Sequence, residues 1–390
     1  MGRTGFGTDG VRGVANVDLT GELALALGRA TARVMGAPSY VVGRDTRRSG
    51  PLLQGAFSAG LATEGADVFD VGVLPTPALA LMARARRLPA AVVSASHNPF
   101  GDNGIKLFSA LGSKLPIETE RSIERKLDEL LDSPDHPPSR PVGAEVGAIV
   151  ADFKAVDEYR QGVARALKGR RLDGLHIVLD CANGAASAVG PHIFRSLGAR
   201  VDAVFDRPNG VNINDGCGST HPEALSRTVV ERSASLGLAF DGDADRLVAV
   251  DHRGIVADGD TLLALFAVDF AARGLLPGNS VVVTVMSNLG FRLAMAERNI
   301  EVIETPVGDR AVLEALEAGD FHLGGEQSGH IVFRALATTG DGVLTGLLLA
   351  DLVARSGHPL AALAHGLVER VPQVLVNVAV PEPARLASAD

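Results

Sequence analysis

Short apolar runs alternate with helix-length amphipathic stretches along this chain, and their order comes round three times. The first copy runs from the strand-like Tyr40-Val41-Val42-Gly43 into the polar loop 44–50, a helix from Pro51, and a second strand at Ala66-Asp67-Val68-Phe69. The second opens at His176-Ile177-Val178-Leu179-Asp180, passes the loop 181–184 and a helix, and closes at Arg200-Val201-Asp202-Ala203-Val204-Phe205. The third starts at Ser280, with the run 280–285, and ends at 300–303. Each copy reads as a βαβ unit, whose crossover is right-handed in a largely parallel sheet. The pattern therefore predicts an α/β fold of three consecutive domains, with mixed, largely parallel sheets flanked by helices around a central cleft. The expected spans are 1–148, 149–250 and 251–370. The Pro- and Ser-rich stretch 131–141 marks a linker or insertion near the first boundary. Residues 371–390 turn strand-like and break at Pro381 and Pro383, which reads as the opening of a fourth domain that these residues do not complete.

Composition narrows the class. The chain has 390 residues, 45 of them Gly and none Trp, as suits a protein with many tight strand-to-helix turns. A formal net charge of −9 argues against a nucleic-acid surface. The N-terminus lacks an apolar signal core, and the most apolar long stretch, 262–276, is interrupted by Asp269 and Arg273. No membrane contact is expected. With only Cys181 and Cys217 available for pairing, a cytoplasmic, reducing location is the expectation.

The candidate chemistry begins with Asp241-Gly242-Asp243-Ala244-Asp245-Arg246, which follows the apolar run 236–240. Three carboxylates at alternate positions at the end of a buried strand repel one another unless a cation joins them. Hard oxygen ligands of this kind suit Mg²⁺, Ca²⁺ or Mn²⁺. An EF-hand is excluded, because its sixth and twelfth positions would be Arg246 and His252 instead of Gly and Glu.

Four further clusters are candidates for the edge where ligands of α/β sheets gather. Ser94-Ala95-Ser96-His97-Asn98-Pro99 follows the strand 90–93, and Lys106 brings a positive charge back towards the same edge. A direct Ser96–His97 base pairing is geometrically awkward, since the two are sequence neighbours. Gly324-Gly325-Glu326-Gln327-Ser328-Gly329-His330 lets backbone approach a ligand, with Glu326 and Ser328 on one side for sugar hydroxyls and His330 beside them. Gly308, Asp309 and Arg310 open a helix that can receive a phosphate. Arg12, in the small-residue run 7–13, suits close approach to an anion.

Taken together, the four motifs at 7–13, 94–99, 241–246 and 324–330 resemble those of the α-D-phosphohexomutase superfamily, in the same order and over almost the whole chain. Gln327, Cys217-Gly218-Ser219-Thr220-His221-Pro222 and Ala337-Thr338-Thr339-Gly340-Asp341-Gly342 are similar to the phosphoglucosamine mutase branch; phosphomannomutase/phosphoglucomutase members usually carry Met in place of Gln327. The resemblance implies that Ser96 is the phosphorylated serine and that Ser96, Asp241, Asp243 and Asp245 hold one Mg²⁺. It implies that Arg246 buttresses the site, and that Lys106, His97 and Arg12 orient phosphate or assist proton transfer. Glu326 and Ser328 would hold the sugar, with Gly308, Asp309, Arg310 and His330 completing the substrate contacts. The implied reaction interconverts glucosamine 6-phosphate and glucosamine 1-phosphate through a 1,6-bisphosphate; a phosphomannomutase/phosphoglucomutase or a non-catalytic phosphosugar-binding remnant is the alternative. The partner is a small phosphosugar, and a homodimer is compatible with all of this. Members of the superfamily also carry a fourth-domain loop, Arg-x-Ser-Gly-Thr-Glu-Pro, that grips the non-reacting phosphate. No such run occurs within the 390 residues, so a folded, metal-competent core with poor turnover is the expectation.

Overall fold

The computed structural model describes residues 10–132, 140–374 and 376. The start of the 7–13 motif, most of the expected linker and all but the first few residues of the expected fourth-domain opening lie outside the described residues.

Three mixed sheets carry the strands. The first holds β1 (Val11–Val14), β2 (Ser39–Arg44), β3 (Asp67–Val73), β4 (Ala90–Val93), β5 (Asp102–Phe108) and β6 (Ile149–Ala151), in the order β1-β5-β4-β2-β3-β6. The second holds β7 (His176–Asp180), β8 (Arg200–Val204), β9 (Leu236–Phe240), β10 (Leu247–Asp251) and β11 (Val256–Ala257), in the order β11-β10-β9-β7-β8. The third holds β12 (Ser280–Thr284), β13 (Glu301–Thr305), β14 (Leu323–Gly325) and β15 (Ile331–Phe333), in the order β13-β12-β14-β15. Four strands in each sheet share one arrangement: β5-β4-β2-β3, β10-β9-β7-β8 and β15-β14-β12-β13. The repeat in hydrophobic pattern is thus a repeat in topology. In every copy the βαβ pair is parallel, and the last two strands turn back as an antiparallel hairpin.

Two strands shift the boundaries read from sequence. β6 pairs with β3 and so belongs to the first sheet, a few residues past the expected edge at 148. β11 pairs with β10 and carries the second sheet beyond 250. Both are very short edge strands, whose pairing leaves little periodic signal.

The helices follow local rules. α1 (Gly21–Met35) starts at Thr20, whose hydroxyl accepts from Leu23 N, and stops at Gly36 in the left-handed region. α2 (Gly50–Thr63) and α3 (Thr76–Arg86) each carry Pro in the first turn, where its missing N–H is harmless. α4 (Ile117–Asp132), α5 (Ala155–Ala164), α6 (Ala186–Ser196), α7 (Glu223–Glu231), α8 (Gly259–Ala272), α9 (Leu289–Glu297) and α10 (Asp309–Ala318) flank the sheets. α11 (Gly342–Ser356) is capped by Asp341 and is apolar almost all round. A helix of that kind must be covered on every side. Although it follows the third sheet in the chain, it packs beneath β9 and β10 and against α5, α6 and α8. Through it and α3, one apolar core runs from Val41 and Leu79 through Leu238 and Phe194 to Leu347 and Phe266. The three units are therefore wedged together.

Where α1 crosses α2, Gly28 and Gly60 let the backbones touch. A Cβ on Gly60 would lie 2.2 Å from Leu25 O, and one on Gly28 would lie 2.2 Å from Phe57 O. Helix propensity alone favours Ala over Gly by about 1 kcal/mol. Overpacking opposes it by roughly 1–3 kcal/mol, and rigid backbone cannot give way as a side chain can. Gly60→Ala is expected to lower stability, seen as a lower denaturation midpoint; a higher midpoint would show that the helices do not need this contact.

Candidate active site

The loops singled out from sequence at 94–99, 241–246 and 326–330 are the turns of the three antiparallel hairpins. Val93 pairs with Ile105, Phe240 with Leu247, and Gly325 with Ile331, so each loop leaves and re-enters its sheet at the same level. The sheets are arranged so that these turns converge.

Ser96 and the acidic loop meet directly. Ser96 Oγ donates to Asp241 Oδ2 at 2.6 Å, and Ser96 is only 1% exposed. Both loops use left-handed backbone at a non-glycine residue, φ 53° at Ser96 and 55° at Ala244. Such conformations cost of order 1–3 kcal/mol and persist only where the surroundings enforce them. At Ser96 the enforcement is visible. Arg47 Nη2 donates to the carbonyls of Ser96 and Asn98 at 2.9 and 2.8 Å, and Asn214 Nδ2 donates to the same two oxygens at 2.9 and 3.0 Å. Arg47 also reaches Pro99 O and binds Asp45 Oδ2 at 2.9 Å, with both side chains wholly buried. Asp45 in turn accepts from Ser94 Oγ, and Ser94 Oγ accepts from Ser96 N. Gly242 lets the loops close up, since a Cβ there would lie 2.6 Å from Ser96 O.

The carboxylates of Asp241, Asp243 and Asp245 are buried, and one oxygen from each lies within 4.8 Å of the others. Burial, then the charges of Asp245 and Asp243, holds the Asp241 carboxyl well above its ordinary pKa. Asp245 goes the other way. Burial would raise it, but Lys106, then His330 and Arg246, pull it well below. Lys106 Nζ lies 3.1 Å from Asp243 Oδ2 and 3.6 Å from Asp245 Oδ2. Asp243 Oδ1 and Asp245 Oδ1 are buried without a hydrogen-bond partner. Orphaned carboxylate oxygens in such a place are what a hard divalent cation would satisfy, so the donor set fits one.

The remaining expected residues divide. His97 Nδ1 is 3.4 Å from Ser96 Oγ, a long contact that agrees with the awkward geometry expected for sequence neighbours. Burial, then the charges of Arg246 and Arg12, lowers the His97 pKa to about 4, so it is neutral at pH 7. Arg12 lies across Gly104 on the paired strand, towards this loop. Arg246 has its backbone N–H on Asp241 Oδ1 and its Nε 3.9 Å from Asp245 Oδ1. Glu326 accepts from Gly308 N at 3.1 Å and faces Ser328 Oγ at 3.4 Å, so the phosphate-loop and sugar-loop candidates adjoin.

Three residues expected to touch substrate also have partners within the protein. His330 is buried, its Nδ1 3.7 Å from Asp245 Oδ2 and its Nε2 accepting from Gly340 N, so it faces the acidic loop. Arg310 is held by Glu120 at 2.7 Å and by Leu115 O, and Asp309 by Lys114 at 2.6 Å. Those partners lie about two hundred residues earlier in the chain and join the first unit to the third, a contact that no local motif can reveal. Asp45, Arg47, Asn214 and Thr76 were not anticipated at all, although the dense charge of Arg44-Asp45-Thr46-Arg47-Arg48 after a buried strand was an available signal.

Profiles of the phosphoglucomutase/phosphomannomutase α/β/α domains I, II and III match residues 3–132, 157–254 and 258–371. A phosphoglucosamine mutase of Rhodococcus opacus is 49% identical over 100% of this chain and 87% of its own length. One from Pelotomaculum thermopropionicum is 51% identical over 97% of this chain and 85% of its own. The chain belongs to the phosphoglucosamine mutase family of the α-D-phosphohexomutases. Among solved structures, a phosphoglucomutase/phosphomannomutase family protein from Burkholderia thailandensis superposes with a TM-score of 0.83 at 29% identity, covering 95% of this chain and 81% of the other. The N-acetylphosphoglucosamine mutase of Aspergillus fumigatus, solved with GlcNAc-6P and magnesium, shares the fold at a TM-score of 0.66 and 19% identity, over 97% of this chain and 82% of its own. Members of the family are isomerases, so the chain is an enzyme. Among the described residues no helix is long and apolar enough to cross a membrane, and both cysteines are free and buried.

Two outcomes are expected. Removing one partner of a buried ion pair typically costs 3–5 kcal/mol. Arg47→Met, which leaves the buried Asp45 without its cation, is expected to destabilise by about that much in denaturant titration; a loss under about 1 kcal/mol would deny the Asp45–Arg47 pair its structural part. In the metal-free, unphosphorylated protein the His97 ring is expected to titrate near 4 by NMR. Since the unfolded chain binds that proton near pH 6.5, stability should fall as pH drops from about 6.5 towards 4. A His97 transition at or above 6.5 would show that burial does not hold the ring neutral.

Proposed function

We propose that this protein interconverts glucosamine 6-phosphate and glucosamine 1-phosphate, with Ser96 as the residue that gives and receives the phosphoryl group. The observation that carries the reading is the 2.6 Å bond from Ser96 Oγ to Asp241, made in a buried loop that Arg47 and Asn214 hold in shape. Relatives named phosphoglucosamine mutase at about half identity over nearly the whole chain supply the substrate class, and Gln327 separates it from the phosphomannomutase/phosphoglucomutase branch.

The cycle balances as follows. The phosphoryl group on Ser96 passes to O1 of glucosamine 6-phosphate; the O1–H proton leaves, and the Ser96 oxygen regains one. The resulting 1,6-bisphosphate turns over in the cleft, and its 6-phosphoryl group returns to Ser96, leaving glucosamine 1-phosphate. His97, neutral and beside Ser96 Oγ, is placed to take up or return the proton. Lys106, paired with Asp243 and Asp245, and Arg246, beside Asp245, set positive charge around the transferred group. Glu326 and Ser328 present acceptors for the sugar hydroxyls. Mg²⁺, held by Asp241, Asp243, Asp245 and the phosphorylated Ser96, would offset the negative charge that gathers there. This reading places the enzyme among soluble cytoplasmic enzymes of sugar phosphates.

The test is phosphoryl exchange. Incubated with a hexose 1,6-bisphosphate and Mg²⁺, the protein is expected to gain the mass of one phosphoryl group at Ser96 and to lose it to glucosamine 6-phosphate. Ser96→Ala should gain none. Phosphorylation at another residue, or discharge faster to mannose 6-phosphate than to glucosamine 6-phosphate, overturns the assignment.

A further inference from the structure

Thr76, the first residue of α3, belongs to the first unit but touches the acidic loop of the second. Its hydroxyl donates to Asp243 Oδ2 at 2.6 Å, and its backbone N–H donates to the Asp243 carbonyl at 2.9 Å. Thr76 is 2% exposed and Asp243 is fully buried. Pro75 and Pro77 bracket it, fixing the backbone where the helix starts, and an eleven-residue helix ends its positive pole on this carboxylate.

The consequence lies in how the two oxygens of Asp243 are shared out. Oδ2 takes the Thr76 hydroxyl and the Lys106 ammonium, while Oδ1 is buried with no hydrogen-bond partner. A carboxylate with one oxygen doubly bound cannot turn over without breaking both contacts. The other oxygen is therefore presented, already oriented, to the space that the three aspartates share. We propose that Thr76 is a positioning residue for the cation site: its hydroxyl fixes the Asp243 carboxylate so that Oδ1 is offered to the metal, and ties that ligand to the unit carrying Ser96. The proposal rests on the acidic triad binding a divalent cation. It explains why a side chain more than 160 residues before the loop makes one of its shortest hydrogen bonds.

Its test is metal binding, which needs no turnover. Mn²⁺ affinity is measured by calorimetry on the full unphosphorylated chain for the unaltered protein, Thr76→Val, Thr76→Ser and Asp243→Asn. Val matches the shape of Thr but lacks the hydroxyl, and the backbone bond from residue 76 survives. Loss of a group orienting a metal ligand typically weakens binding about 10- to 100-fold. Thr76→Val is expected to bind Mn²⁺ at least about tenfold more weakly while Thr76→Ser keeps the original affinity. The thermal unfolding midpoint of each variant shows whether folding is intact; if Thr76→Val fails to fold, the comparison is made between Thr76→Ser and Thr76→Ala. Equal affinity with and without the hydroxyl overturns the proposal. Failure of the unaltered protein to bind Mn²⁺, or binding that Asp243→Asn leaves unchanged, would instead remove the underlying reading of the triad.

Discussion

The structure is organised around an electrostatic conflict that no single sheet could resolve. Three carboxylates crowd within 4.8 Å in a buried loop, and the serine that meets them would bring further negative charge once phosphorylated. Burial and the charges of Asp245 and Asp243 push the Asp241 carboxyl well above its usual range. Every other feature of the centre tempers this conflict. Lys106 comes from β5, Arg246 from the loop itself, His330 from the third sheet, and Thr76 from the helix of the first. Because the partners come from three units, the charge balance exists only when the units are docked.

That requirement accounts for the packing. A hinge of loosely tethered domains would open the acidic loop to water and take away the partners that the first and third units bring to it. Here α11 is wedged beneath the second sheet, and Arg310–Glu120 and Lys114–Asp309 tie the third unit to the first. Backbone approaches at Gly242, Gly259, Gly329 and Gly342 leave no room for a Cβ between the loops, which fixes their spacing more tightly than side chains could. Both ion pairs are largely buried, their side chains 14–21% exposed. Their part here is to set the relative position of rigid bodies that the shared apolar core already holds together.

Much of the architecture was legible in the chain. Runs such as 40–43, 176–180 and 280–285 are apolar because central parallel strands are covered on both faces, and that signal survives in any single sequence. Three of the four motifs stood out because they sit in hairpin turns and carry more hydroxyl and carboxylate side chains, at Ser96, Asp241, Asp243, Asp245 and Glu326, than a turn requires. The short edge strands β6 and β11 were not legible, since two or three residues carry no period. Nor were the supports of the site. Arg47 and Asn214 act on carbonyl oxygens, which look identical at every residue. The pairing of Arg310 with Glu120, far away in sequence, leaves no local signal. The approach of His330 to Asp245 is likewise visible only in the fold.

A single motif mixes two kinds of residue. Within 324–330, Glu326 and Ser328 remain open to solvent while His330 is buried against the acidic loop, so one short segment both offers polar groups to the cleft and braces a carboxylate. Within 94–99, Ser96 meets Asp241 while the carbonyls of Ser96, Asn98 and Pro99 are gripped from below by Arg47. A left-handed Ser96 would relax if that grip were lost, and its hydroxyl would swing away from the acids. The Ser96 hydroxyl is thus held in place by its own main chain: the left-handed backbone at residue 96 is sustained by a guanidinium bound to its carbonyl, and the placement of that hydroxyl is inseparable from the packing of the first sheet.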